Sequence, residues 1–243
     1  MPDQVFGAGE LRTTKNPRVG VLKLTSGASR QYRFSEIDGL GIFEGDIVVG
    51  RGLELEGVVV VRPGARWPDR TVVYDIDAAL PNPQRVTDAV AHWKQNTVIQ
   101  FKQRTNENDY VLFRSGGGCS SAVGRLGGVQ WITLGPMCTA GNAIHEIGHA
   151  VGLWHEQSRE DRDQFITIAW DNIDPFYQHN FDQRITDGDD VGDYDYGSIM
   201  HYPKGAFALD PAKPTVLPTG GQPIGQRDGL SAGDIATVAQ IYA

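Results

Sequence analysis

An α+β domain with a cleft between two lobes is predicted from the order of patterns along the chain. Strand and helix patterns interleave from about residue 67 to residue 153. A stretch rich in Asp, Gly, Asn and Pro then fills 154–225, and one helical pattern closes the chain. Thr71–Ile76 alternates and is β-branched, so it reads as a strand. Asn82-Pro83 opens a helix through Gln95, with Val86, Ala89, Val90 and Trp93 at helical spacing. Val98–Gln103, Tyr110–Arg114 and Val129–Leu134 read as strands. The small and apolar residues of Thr139–Leu153 fit a second helix. The last helix runs from Ser231 to Tyr242, with Ser231 as N-cap and Asp234 in the capping-box position. Residues up to about 66 differ in texture, with many Gly and no helical period. Within them Val19–Leu24 and Gly57–Val61 read as short strands or extended arms, and the breaker-rich Arg62–Pro68 marks a junction.

The 243 residues are 40% hydrophobic and 21% charged, ordinary for a globular domain with a core of useful size. A net charge of -8 argues against a nucleic-acid partner held by phosphate contacts. No apolar run is long enough to span a bilayer, and Met1–Lys15 lacks the basic start and apolar run of a secretory signal. The two cysteines, Cys119 and Cys138, bracket a turn-and-strand stretch. They are either a disulfide, which suits an oxidising compartment, or two buried thiols.

His145-Glu146-Ile147-Gly148-His149-Ala150-Val151-Gly152-Leu153-Trp154-His155-Glu156 carries the chemistry. His145 and His149 share one helix face, about 40° and roughly 6 Å of rise apart, so their imidazoles can converge on one ion. On a continued helix His155 would lie about 15 Å beyond His145. The chain must therefore turn back, and Gly152 can end the helix in a left-handed conformation. Three His ligands leave one corner of a tetrahedral zinc open, as in catalytic sites, where the metal lowers the pKa of a water towards about 7. Glu146, beside the ligand face, can take that proton and pass it to a leaving amine. One Zn2+ per chain and a hydrolytic enzyme are expected. A zinc-binding peptide-capture module without turnover would keep the histidines but need no Glu146. His92 and His179 read as ordinary structure.

The extended spacing is similar to the metzincin signature, and the segment from His145 to Asp163 closely resembles the astacin family of zinc endopeptidases. The likeness continues through Phe165–Ile173, Tyr194–Tyr202, Ile224–Arg227 and Leu230-Ser231, and covers about residues 67 to 243. It implies a two-lobed, metzincin-type α+β catalytic domain with a mixed twisted sheet and an active-site helix, preceded by a small irregular propeptide. It implies that Met200 lies in a Met-turn under the zinc. It also implies that Tyr202 is a displaceable ligand that swings to donate to the oxyanion. The Cys119–Cys138 spacing resembles an astacin disulfide, and Gly128–Leu134 resembles the edge strand that receives substrate backbone.

Phe43-Glu44-Gly45-Asp46 alone reads as a turn with a solvated Asp. In this context it resembles the propeptide motif of astacin zymogens, which implies that Asp46 is a metal ligand of the latent form only. The resemblance places a propeptide at 1–57, with its boundary between 51 and 66, and a catalytic domain at 58–243. It implies a new amino terminus near Val58 that pairs with Glu156 after processing. Cleavage after Arg51, Arg62 or Arg66, by another protease or by the enzyme itself, is the alternative. Arg227 resembles a residue that favours acidic side chains after the scissile bond. Protein or peptide substrates and a secreted, extracellular location complete the expectation.

Overall fold

The structure, a computed structural model, describes residues 4–6, 11–13, 18–23, 29–51, 64–184 and 189–243. Strands β1 (Gln4–Phe6) and β2 (Leu11–Thr13) form an antiparallel pair. Strands β3 (Arg18–Lys23), β4 (Ser29–Ile37), β5 (Leu40–Phe43) and β6 (Ile47–Arg51) form an antiparallel sheet in chain order. This corrects the expectation of an irregular N-terminal segment. The physical reason lies in the turns. Asp38-Gly39 and Glu44-Gly45 both take positive φ, the geometry that lets short connections join twisted antiparallel strands. A helical period is not needed for that. Val19–Leu24 is met by β3 as far as Lys23. Leu24, Gly57–Val61, Val58 and Arg62 lie outside the described residues.

The second sheet is built from β7 (Thr71–Ile76), β8 (Gln100–Gln103), β9 (Tyr110–Arg114), β10 (Cys119–Ser120) and β11 (Val129–Leu134), with helix α1 (Gln84–Asn96) between β7 and β8. Its order is β10-β11-β9-β7-β8, parallel throughout except for antiparallel β10. The edge next to the cleft is therefore β10. Val129–Leu134 is an inner strand, paired on one side with β9 and on the other with β10. The two residues of β10 are too few to carry a readable alternation, which is why the longer run reads as the edge.

Helix α2 (Ala140–Val151) packs on α1, with the Trp93 Nε1–H donating to the Ile144 carbonyl. Thr139 caps it in a reciprocal box with Asn142. Gly152 closes it at φ 115 and its N–H returns to the carbonyls of Gly148 and His149. The Cys119–Cys138 disulfide ties β10 to the loop entering α2, with Cα atoms 6.0 Å apart. Helix α3 (Ala232–Ile241) closes the chain and packs Val238 into the core of the first lobe. The other lobe has single helical turns and the pair β12 (Ile166–Ile168) and β13 (Val216–Pro218). Its aromatic core holds Tyr177, Phe181, Tyr202 and Phe207. Among the described residues no helix is long and apolar enough to cross a membrane.

Candidate metal centre

Helix α2 delivers His145 and His149 from one face, and the left-handed turn at Gly152 brings His155 back against them. All three rings are buried, with centroids 4.8, 5.5 and 4.7 Å apart pairwise. Their outer nitrogens each have a partner. His145 Nδ1–H donates to the Ile199 carbonyl at 2.7 Å, His149 Nδ1–H to the Leu153 carbonyl at 2.8 Å, and His155 Nδ1–H to Glu44 Oε2 at 2.8 Å. In the neutral ring, with Nδ1 protonated, Nε2 is the nitrogen left to hold a metal, and all three Nε2 atoms face inward.

The fourth donor comes from the N-terminal sheet. Asp46, buried rather than solvated, places Oδ2 3.3 Å from His145 Nε2, and Oδ1 3.2 Å from His155 Nε2 and 3.7 Å from His149 Nε2. Four donors at zinc bond lengths stand about 3.3 Å apart across a tetrahedron, so this spacing fits zinc. One ligand atom from each of Asp46, His145, His149 and His155 can be chosen so that all lie within 4.8 Å of one another. His149 Nε2 is buried and makes no hydrogen bond, which also fits a ligand.

The electrostatics agree. Burial lowers the His145 pKa to about 3, helped by nearby Arg227. Burial acts the same way on His155, but Asp46 and Glu44 outweigh it and lift that ring to about 9. Burial pushes Asp46 up, yet the charge of His155 and contacts from the three imidazoles hold it well below the usual carboxylate range. A buried donor set that calls for positive charge at its centre suits a cation.

A family model for Astacin, a family of peptidases, matches residues 59–243. The chain belongs to the astacin family. It is 38% identical over 193 residues to Bone morphogenetic protein 1 of Xenopus laevis, covering 74% of this chain and 27% of that protein. It is 39% identical over 217 residues to Astacin-like metalloprotease toxin 1 of Loxosceles intermedia, covering 85% of this chain and 82% of that one. Among solved structures, High choriolytic enzyme 1, a hatching enzyme zinc-protease from Oryzias latipes, matches with a TM-score of 0.67 and 33% identity. That match covers 73% of this chain and 92% of its own. This astacin spans little more than a quarter of the Xenopus relative's length. The family is one of peptidases, and the three histidines with Asp46 form a buried set that could hold one metal ion.

Around the ligands, the astacin chain builds a support that short motifs describe poorly. Met200 is buried, and its Sδ lies 2.5 Å from where a Cβ on Gly148 would be, so the turn packs directly on the helix. Asp234 of α3 holds that turn, accepting from the Ser198 hydroxyl at 2.7 Å and the Ile199 N–H at 2.9 Å. The sequence marks Asp234 only as a capping residue, a role it also fills. Gln157 Oε1 accepts from the Tyr202 N–H at 3.0 Å. The Tyr202 hydroxyl donates to the Glu44 carbonyl, so here it faces the N-terminal sheet. Glu146 is buried on α2 between the ligands in sequence.

Other residues singled out in the sequence lie near this centre. Arg227 Nη1 donates to the carbonyls of Ile199, His201 and Gln226 at 2.9, 3.1 and 2.9 Å. Glu156 accepts from the Asp195 N–H at 2.8 Å and lines a cavity of about 1320 Å³ together with Arg159, Tyr194 and Asp234. Burial lifts its pKa to about 7 against the pull of that N–H. His92 accepts from the Leu230 N–H at 3.0 Å and serves structure.

Proposed function

We propose that this astacin is a latent endopeptidase in which Glu146 is the general base and Asp46 is the plug. The observation that carries the reading is the Asp46 carboxylate, 3.2 to 3.7 Å from the inner nitrogens of the three zinc-site histidines. An oxygen there takes the corner that water needs. Residues 1–57 form the propeptide, with the cut between 51 and 66, and 58–243 form the mature enzyme. Bound zinc supplies Lewis acidity, which acidifies a water and polarises the scissile carbonyl. Glu146 accepts the proton of that water and hands it to the departing amine. Tyr202, once released from Glu44, would donate its hydroxyl to the carbonyl oxygen as charge builds there, and would be one of the residues available to hold the metal when substrate is absent. Met200 supports the ligands from below.

Two further contacts support latency. The Val48 N–H donates to the Ser121 carbonyl at 2.8 Å, and the Ser121 N–H donates to the Asp46 carbonyl at 2.9 Å, so the chain after the turn runs parallel to the edge at β10. A protein or peptide substrate adding as a strand competes for the same edge. Once the propeptide is cut, by another protease or by a second copy of the enzyme, the new amino terminus near Val58 enters the cavity beside Glu156. The Cys119–Cys138 disulfide supports a secreted, extracellular setting. Arg227 is retained as the candidate for acidic preference after the scissile bond, and cleavage profiling of Arg227→Ala decides it: an unchanged preference removes it.

The test is casein digestion by the full chain before and after limited trypsin treatment, with and without a chelator, alongside zinc analysis. Digestion appears only after trypsin, and the chelator abolishes it. Chelator-resistant digestion at full rate overturns the reading.

A further inference from the structure

Glu44 is built into the centre more firmly than a spacer before Asp46 needs to be. Its backbone is left-handed at φ 50, a costly conformation for a residue with a side chain, which persists where the surroundings over-determine it. Oε2 accepts from His155 Nδ1 at 2.8 Å, Oε1 pairs with Arg184 Nη2 at 2.7 Å, and the carbonyl accepts the Tyr202 hydroxyl. The carboxylate is fully buried, and Arg184 is 5% exposed, its guanidinium 4.5 Å from the Phe43 ring and 5.5 Å from the Trp154 ring. His145 and His149 take neutral backbone carbonyls as partners from the enzyme's own domain. His155 takes a charged carboxylate from the N-terminal sheet.

That asymmetry has a chemical meaning. An acceptor on Nδ1 fixes the ring's tautomer and orientation and makes Nε2 a stronger donor. A carboxylate does this more strongly than a carbonyl, and Arg184 balances its buried charge. We propose that Glu44 is a positioning residue for the metal. Through His155 it tightens zinc binding in the latent chain, so the segment that covers the site also helps to load and hold it. The proposal rests on the reading of residues 1–57 as a propeptide, and implies that maturation withdraws support from one ligand.

The test uses the zinc-loaded full chain and its Glu44→Gln, Glu44→Ala and Asp46→Asn variants. Zinc loss to excess EDTA is timed with a colorimetric indicator, and the visible bands of cobalt(II)-substituted protein are recorded. Zinc leaves Glu44→Ala about ten- to a hundredfold faster than the parent. Glu44→Gln, which keeps an acceptor but loses the charge, falls between them, and the cobalt bands shift in both. Parent-like release from both overturns the proposal. So does faster release with unshifted bands, because loosened packing then explains it without His155. If Glu44→Ala does not fold, Glu44→Gln decides by the same two readouts. Asp46→Asn keeps the two ideas apart: if it digests casein no faster than the parent, the latency reading fails while the zinc comparison still reports on Glu44.

Discussion

Two regions share the zinc site, and they are held in opposite ways. The α2 side is anchored within the enzyme's own domain: a capped helix, a disulfide on its approach and a Met-turn pinned by Asp234. The N-terminal side reaches the site through one turn between β5 and β6, and its grip is a hydrogen-bonded edge, two buried carboxylates and Arg184. The contacts of the first lie within residues 64–243, whereas those of the second all cross from one region to the other, including the apolar packing of Phe43 and Ile47 beside Val123 and Trp154. On the proposed reading, in which the N-terminal segment is a plug removed by cutting, its specific contacts are gathered at the tip that carries Glu44 and Asp46.

The comparison breaks most visibly at Glu146. Glu146→Ala removes the proposed base and leaves both regions' ligands in place. Proteolysis by trypsin-treated protein falls by about 10²- to 10⁴-fold, while zinc analysis stays near one ion per chain. If activity holds at the parent level, the base lies elsewhere. Asp46→Ala tests the other region. Every 1.4 kcal/mol taken from the plug raises the open fraction about tenfold, so basal casein digestion by the uncut chain rises by at least about that much. Trypsin-treated protein changes little, because Asp46 has left with its segment. A variant as silent as the parent rules Asp46 out as the plug.

The same contrast explains what the sequence could disclose. His145, His149, Gly152 and His155 lie within one short segment whose helical geometry can be worked out from spacing. Ser231 and Asp234 announce the last helix by local capping chemistry, and the structure has both. Asp46 could be singled out only through the likeness of its four-residue motif, because nothing local distinguishes a buried carboxylate from a solvated one. Glu44 meets His155 across 111 residues of sequence, and no period or cap encodes such a contact. β10 escaped because two residues hold no pattern, and its edge role follows from which strands pair across the sheet. The N-terminal sheet escaped because its turns, rather than its apolar spacing, carry the information.

Gly148 probes how closely the α2 side is packed. A Cβ there would meet Met200 Sδ at 2.5 Å and Cε at 3.3 Å, so Gly148→Ala must displace the Met-turn that holds His145 through Ile199. Overpacking of this kind costs about 1–3 kcal/mol. Thermal unfolding falls in the latent and mature forms alike, since the clash lies inside the enzyme domain. A loss confined to the latent form would mean that the N-terminal sheet, and not α2, sets the position of that turn.

Gly152 gives the smallest effect and the sharpest separation. Its φ of 115 disfavours any side chain, yet a Cβ would meet nothing within 4 Å. Gly152→Ala therefore carries a backbone penalty of about 1–2 kcal/mol with no steric clash added. For a domain of this size that lowers the unfolding midpoint by about 2–4 °C for each 1 kcal/mol. The zinc-loaded and zinc-free proteins distinguish two roles for the turn. If Gly152 only ends the helix, both midpoints fall together. If it also aims His155 at the ion, the loaded protein falls further, because ligand binding adds stability only to the geometry that binds. The larger fall with zinc is the expected result, since His155 follows Gly152 by three residues and has no other route back to the ligand face of α2. Equal falls would transfer the aiming of His155 to its partner Glu44, and with it a share of the metal affinity to the segment proposed as the propeptide.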